Sequence, residues 1–115
     1  MHGTEAPSDW ITRWAHLVPA GGTVLDVACG MGRHTRHFYA SNHPVASVDY
    51  SQTAIDSVAK IAKAVCADIE AGPWPFAGRS FDGVVVTNYL WRPLLPTLVQ
   101  SVAPGGVLLY ETFAA

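Results

Sequence analysis

The chain has 115 residues, half of them apolar and only 14% charged, with seven Lys and Arg against nine Asp and Glu for a net charge of −2. These figures exclude a disordered chain, and they leave no basic stripe for a nucleic-acid partner. The length suits a single domain over residues 1–115, large enough for a core though short for a sheet covered by helices on both faces.

No apolar run reaches the roughly eighteen residues of a membrane helix, and no basic region followed by an apolar stretch opens the chain. The expectation is a soluble, cytoplasmic protein with no membrane partner. The low charge also suggests that another chain covers some apolar surface.

In chain order, Ser8 follows Pro7 and caps a short helix whose apolar positions are Trp10, Ile11, Trp14, Leu17 and Val18, one stripe at helical spacing. That stripe predicts packing on the edge of a sheet. Pro19-Ala20-Gly21-Gly22 turns the chain into a first strand, Val24-Leu25-Asp26-Val27. Small residues then arrive at every second position in Ala28-Cys29-Gly30-Met31-Gly32, before Arg33-His34-Thr35 opens a helix. This is the pattern of a buried parallel strand running into a tight turn with exposed backbone. The following helix points its first free N–H groups into the same crevice, a place where nucleotide-type cofactors bind. The helix is expected to bury Phe38 and to expose much of Arg33 to His37. His34 and His37 stand at i and i+3 but have no third ligand nearby, so no metal is expected.

Pro44-Val45-Ala46-Ser47-Val48 reads as a second buried strand with Asp49 at its carboxyl end, placed to accept hydrogen bonds from a ribose diol. Ser51 caps a helix from Gln52 to about Lys63, with Ile55, Val58, Ala59 and Ala62 facing inward. Ala64-Val65-Cys66-Ala67 is a short third strand ending at Asp68, whose carboxylate, an acceptor only, suits an adenine amino group. From Ile69 to Ser80 two prolines and two glycines leave little room for a helix. Phe81 to Thr87 is a central strand, and Asn88-Tyr89-Leu90-Trp91-Arg92 is the loop above it. Pro93 and Pro96 start a helix to about Val102, and Gly105-Gly106 leads into a fifth strand, Val107 to Phe113. His16 and His43 read as surface residues. Cys29 and Cys66, in no metal-like spacing, read as small buried ones.

Every candidate ligand group thus falls at the carboxyl end of a strand, where open α/β sheets place ligands. The expected fold is α/β, a Rossmann-like three-layer sandwich with parallel strand order 3-2-1-4-5. Together these residues resemble the class I S-adenosylmethionine-dependent methyltransferases. The resemblance is closest to the small-molecule branch of tellurite- and thiopurine-type enzymes, and it runs from about Pro19 to the end of the chain. The family's acid-x-Gly-x-Gly-x-Gly loop appears as Asp26-x-Ala28-x-Gly30-x-Gly32. Ala28 departs from it, a change that matters only where a positive φ is needed.

The resemblance implies a role for each position. Gly30 and Gly32 admit the methionine half of the cofactor, with Ala28 and Cys29 in the same loop. Asp26 holds its ammonium group, directly or through water, and Asp49 binds the ribose hydroxyls. Tyr50 lies beside the adenine, whose edge is read by Asp68 and the Ile69 backbone. Asn88 sits under the sulfonium, and Tyr89 is placed to orient an acceptor. The first helix is then a candidate flap over the cofactor, and Pro104-Gly105-Gly106 is the family's turn before the fifth strand. The loop from Asn88 to Arg92 holds no acid or histidine, so no catalytic base is assigned.

Family members continue past the fifth strand with a helix and two more strands. The chain therefore reads either as truncated there or as a minimal or decayed version, and in both cases an open apolar edge predicts a homodimer. The expected activity is S-adenosylmethionine-dependent methyl transfer to a small-molecule acceptor. Two alternatives stand beside it. One is a non-catalytic module binding S-adenosylmethionine or S-adenosylhomocysteine. The other is a nicotinamide-dependent dehydrogenase, because Gly30, Gly32 and Asp49 nearly fit that fingerprint. In the latter case Thr35 stands at the third glycine position, and Asp26 and Asp68 have no role.

Overall fold

Val24–Val27 and Phe81–Thr87 are rich in valine and other apolar residues because both faces of each strand are covered. A computed structural model, which describes residues 5–112, sets them side by side at the centre of a five-stranded parallel sheet. The elements in order are α1 (Asp9–Trp14), a 3-10 turn (Ala15–Leu17), β1 (Val24–Val27), α2 (Arg33–Ala40), β2 (Val45–Asp49) and α3 (Gln52–Val58). They continue with β3 (Lys63–Cys66), β4 (Phe81–Thr87), a second 3-10 turn (Arg92–Leu94), α4 (Leu95–Gln100) and β5 (Val102–Glu111). The strand order is β3-β2-β1-β4-β5, as the sequence predicts. The order reverses between β1 and β4, which opens a crevice at their carboxyl ends.

Strand alternation divides the core into two layers. Leu25, Val27, Val84 and Val86 join Phe76, Leu94 and Leu98 on one face, while Val24 and Val85 join Ile11, Val18 and Phe38 on the other. The helix-free stretch between β3 and β4 is held by aromatic packing. Phe76 is buried edge-to-face between Trp74, at 5.5 Å, and Phe81, at 5.7 Å.

Several boundaries differ from expectation. Helix α1 ends at Trp14 and gives way to the 3-10 turn, so the helical stripe loses its phase: Ile11 and Val18 are buried, but Trp10 and Leu17 are exposed. Helix α3 stops at Val58, whose carbonyl accepts from both Ile61 and Ala62 N–H, and Lys63 already belongs to β3. Helix α4 ends at Gln100 and β5 starts at Val102, because Pro104-Gly105-Gly106 is taken up within the strand as a register shift opposite Phe81 and Gly83. A Cβ on Gly106 would lie 2.6 Å from the Asp82 carbonyl oxygen, so only glycine lets the strands meet there. Phe113 lies outside the described residues.

His34 and Thr35, expected on the surface of α2, are buried. His43 is buried too, with Nδ1–H donating to the Gly22 carbonyl at 2.7 Å. Cys66 is exposed, since β3 is an edge strand, whereas Cys29 is buried. Among the described residues no helix is long and apolar enough to cross a membrane.

Candidate functional site

A cavity of about 610 Å³ opens at the carboxyl ends of β1 to β4. Its wall contains Ala28, Cys29, Gly30, Gly32, Asp49, Tyr50, Asp68, Ile69, Asn88 and Tyr89, every expected site residue except Asp26.

The loop after β1 owes its shape to left-handed backbone. Ala28 has φ +55°, Gly30 +55° and Gly32 +88°, and Asn88 across the crevice has +54°. Asparagine tolerates that region, but alanine is strained there by about 1–2 kcal/mol. The departure at Ala28 therefore stands where a positive φ is in fact adopted. The two glycines are needed for different reasons. A Cβ on Gly32 would lie 2.2 Å from Val58 Cγ1, so that position is fixed by packing on α3. A Cβ on Gly30 would meet nothing within 4 Å, so Gly30 leaves backbone open to the cavity.

Asp49 pins this loop to β2. Its Oδ2 accepts from Gly30 N–H at 2.9 Å and its Oδ1 from Ser51 N–H at 2.9 Å. Each oxygen keeps a second lone pair for a ligand hydroxyl. Cys29 N–H donates to the Val48 carbonyl at 3.0 Å, and Arg36 Nη1–H to the Met31 carbonyl at 2.7 Å. Burial, with Asp26 and Asp49 nearby, pushes the Cys29 thiol far above its ordinary value, so it stays protonated.

Asp26 lies in the wall behind the loop. The residue is 1% exposed, and Oδ2 accepts from Thr35 Oγ1–H at 2.7 Å, while Oδ1 has no partner among the described residues. Ser47 Oγ lies 2.7 Å from Thr35 Oγ1. Burial raises the Asp26 pKa to about 7 against the opposing Thr35 hydrogen bonds, with Asp49 adding to the rise. Direct contact with a ligand ammonium, one of the two expected forms, is not what this placement provides. Thr35, which occupies the third glycine position of the dinucleotide fingerprint, instead supports Asp26.

The opposite wall comes from the loops after β3 and β4. Asp68 Oδ1 accepts from Glu70 N–H at 3.0 Å and Ala71 N–H at 3.2 Å, which holds the turn carrying Ile69. Tyr89 O–H donates to Glu70 Oε2 at 2.8 Å, and Tyr110 O–H donates to the Tyr89 carbonyl at 2.6 Å. Burial and Glu70 push the Tyr89 phenol up, so it acts as a hydrogen-bond donor at neutral pH.

His34, Glu70 and Thr87 also line the cavity; Glu70 and Thr87 were not singled out from sequence, and His34 was weighed there only as a metal ligand. For His34 a signal existed: it stands one turn before the buried Phe38, on the same face of α2. For Glu70 no local pattern pointed inward.

Residues 24–106 match the family model described as a methyltransferase domain. A tRNA U34 carboxymethyltransferase of Klebsiella pneumoniae is 31% identical over 126 residues, covering 95% of this chain and 37% of that protein. The chain thus spans well under half the length of the curated relatives it matches. Among solved structures, a TehB-like S-adenosylmethionine-dependent methyltransferase from Corynebacterium glutamicum superposes with a TM-score of 0.72 at 21% identity, over 86% of this chain and 59% of that one. The glycopeptide N-methyltransferase MtfA, solved with S-adenosylhomocysteine, gives a TM-score of 0.72 at 22% identity over 93% and 52%. At these identities the likeness is one of fold.

Proposed function

The chain belongs to the methyltransferase-domain family, and from that premise we propose that it binds S-adenosylmethionine and transfers the methyl group to a small-molecule acceptor. The observation that carries this reading is the convergence of Gly30, Asp49, Asp68 and Asn88, from four separate strand ends, on one cavity of about 610 Å³. That volume is within the usual range for an organic ligand of this size.

The residues present fit such a cofactor. Gly30 leaves open space where a side chain would stand, and each Asp49 oxygen keeps a lone pair that suits a ribose hydroxyl. Asp68 Oδ2 has no partner among the described residues and suits the adenine amino group beside the Ile69 backbone. Tyr50, 81% exposed, presents an aromatic face at the same rim. Asp26, behind the loop, reaches a ligand ammonium through water rather than by contact, and a cation placed there favours the ionised form that burial otherwise opposes.

When bound, the cofactor supplies an electrophilic methyl carbon on a sulfonium. The protein's part is to hold an acceptor in line and keep water away, which lowers the barrier by proximity and orientation. Asn88 lies below the reacting centre in this reading, and the Tyr89 hydroxyl, tethered to Glu70, borders the space an acceptor enters. No acid or histidine stands in the loop from Asn88 to Arg92, so the acceptor must be nucleophilic without a base from that loop. A small acceptor is favoured over nucleic acid by the scarcity of Lys and Arg, seven in all.

The same proposal places the protein in the cytoplasm. It also includes a homodimer, since among the described residues β5 pairs only with β4 and leaves one edge for a second copy. The reading is tested by a methyl-transfer assay over thiol, amine, carboxylate, oxyanion and tRNA acceptors. Turnover of a small acceptor is expected. Binding of S-adenosylhomocysteine without any turnover identifies a non-catalytic module instead.

A further inference from the structure

Buried hydrogen bonds beside the cavity have a fixed direction, and that direction singles out a group no site assignment has used. Ser8 is held in place twice through its hydroxyl, which accepts from Ile11 N–H at 3.1 Å and donates to Glu111 Oε1 at 2.6 Å. Its backbone N–H lies 3.0 Å from His34 Nε2. A backbone N–H can only donate, so Nε2 is the accepting nitrogen and carries no hydrogen. The neutral imidazole then bears its hydrogen on Nδ1, which lies 3.3 Å from Thr87 Oγ1. Thr87 Oγ1 therefore accepts from His34, and its own hydrogen is directed elsewhere. Thr87 is 8% exposed, lines the cavity, and has no other side-chain hydrogen bond among the described residues. A buried hydroxyl hydrogen without an acceptor is costly, so a ligand acceptor at this spot is favoured.

The place of Thr87 says which ligand atom this is. In the β1–β4 register Val27 pairs with Val86, which sets Thr87 next to Ala28 at the start of the glycine loop. In the reading above, on which this inference rests, that loop faces the amino-acid half of S-adenosylmethionine. The ammonium of that half is a donor and the sulfonium is a cation, which leaves the carboxylate as its hydrogen-bond acceptor. We propose that Thr87 binds the cofactor's carboxylate through its hydroxyl hydrogen, and that His34 is the positioning residue that turns this hydrogen toward the cavity.

Burial, with Arg33 and His37 adding to it, lowers the His34 pKa to about 4, which keeps the imidazole in the neutral form this arrangement needs. The network also joins α1, α2, β4 and β5 through the backbone N–H and hydroxyl of Ser8 and the side chains of His34, Thr87 and Glu111. His34 thus occupies a lone pair of the Thr87 oxygen before a ligand arrives and leaves the hydroxyl hydrogen free for it.

The test compares S-adenosylhomocysteine with methylthioadenosine, which has the same nucleoside and thioether but no amino-acid half. Calorimetric affinities are measured for the full chain and for Thr87→Val, Thr87→Ser and His34→Phe, each checked by its melting curve. Thr87→Val and His34→Phe are expected to weaken S-adenosylhomocysteine by about ten- to a hundredfold. Both are expected to leave methylthioadenosine unchanged, and Thr87→Ser keeps the original affinity for both ligands. If Thr87→Val does not fold, Thr87→Ala carries the same comparison. Equal S-adenosylhomocysteine affinity in the unaltered chain and the Val variant overturns the inference, as does an equal loss for both ligands, which is the mark of a purely structural role. If the unaltered chain binds neither ligand, the cofactor reading falls with it.

Discussion

Ala28 carries a side chain in a backbone conformation that glycine adopts freely, at φ +55°. The strain it stores is partly offset by the lower entropy of alanine in the unfolded chain, so Ala28→Gly is expected to stabilise the protein by about 0.5–1 kcal/mol. Thermal unfolding checks this, and a lower midpoint in the variant counts against a strained Ala28. Gly32→Ala has the opposite sign. Its Cβ would lie 2.2 Å from Val58 Cγ1, and overpacking of this kind costs about 1–3 kcal/mol.

Asp26 gives a pH-dependent prediction. Its folded pKa, about 7, lies above the ordinary 3.8. The stability it contributes is therefore complete below the lower value and lost as pH rises through the upper one. Asp26→Asn removes that titration. The difference in melting temperature, variant minus unaltered chain, is expected to grow in the variant's favour between about pH 4 and pH 8, as expected for a carboxyl whose ionised form is disfavoured by burial. A flat difference shows that Asp26 ionises freely. At this scale the candidate site was readable because acids and glycines at strand ends have few other uses. The direction each side chain takes was not readable, and Asp26 shows why: it lies within β1, where strand alternation turns it into the packing behind the loop.

At the scale of elements, Ser8 does more than cap α1. Its hydroxyl closes the first turn and also reaches Glu111 on β5, so Ser8→Ala removes the cap and the tie together. The expected loss is at least about 1 kcal/mol, the typical value for a cap alone. A denaturant midpoint unchanged by this substitution contradicts the tie.

The strands were read more accurately than the helices. The limits of β4, Phe81 to Thr87, agree residue for residue with the apolar run in the sequence, because burial on both faces leaves no ambiguity of phase. Helix ends were less accessible. The inward face was read on through Ala59 and Ala62, but Ala59 is exposed and Ala62 packs from a turn rather than from a helix. The start of β5 was hidden by Pro104-Gly105-Gly106, a signal that ordinarily marks a loop and here lies inside a strand.

For the molecule as a whole, the strand order is the one expected of an open α/β sheet with candidate ligand groups at the carboxyl ends of its strands. The reversal between β1 and β4 then accounts for the position of the cavity. What covers the outer edge of β5 did not follow in the same way, since a parallel edge strand looks the same in sequence whether it pairs or not. The homodimer proposed above predicts a sedimentation coefficient that rises with protein concentration toward that of two chains. A constant monomer value removes the dimer and leaves the cofactor site untouched.

The central claim, that the loop after β1 and the acids after β2 and β3 form one nucleoside site, is tested most directly by calorimetric titration with S-adenosylhomocysteine and, separately, NAD. The account predicts saturable binding of S-adenosylhomocysteine with one site per chain, a loss of about tenfold or more in a folded Asp49→Ala variant, and no heat from NAD. Binding of NAD in preference to S-adenosylhomocysteine, or binding that Asp49→Ala leaves unaltered, contradicts it.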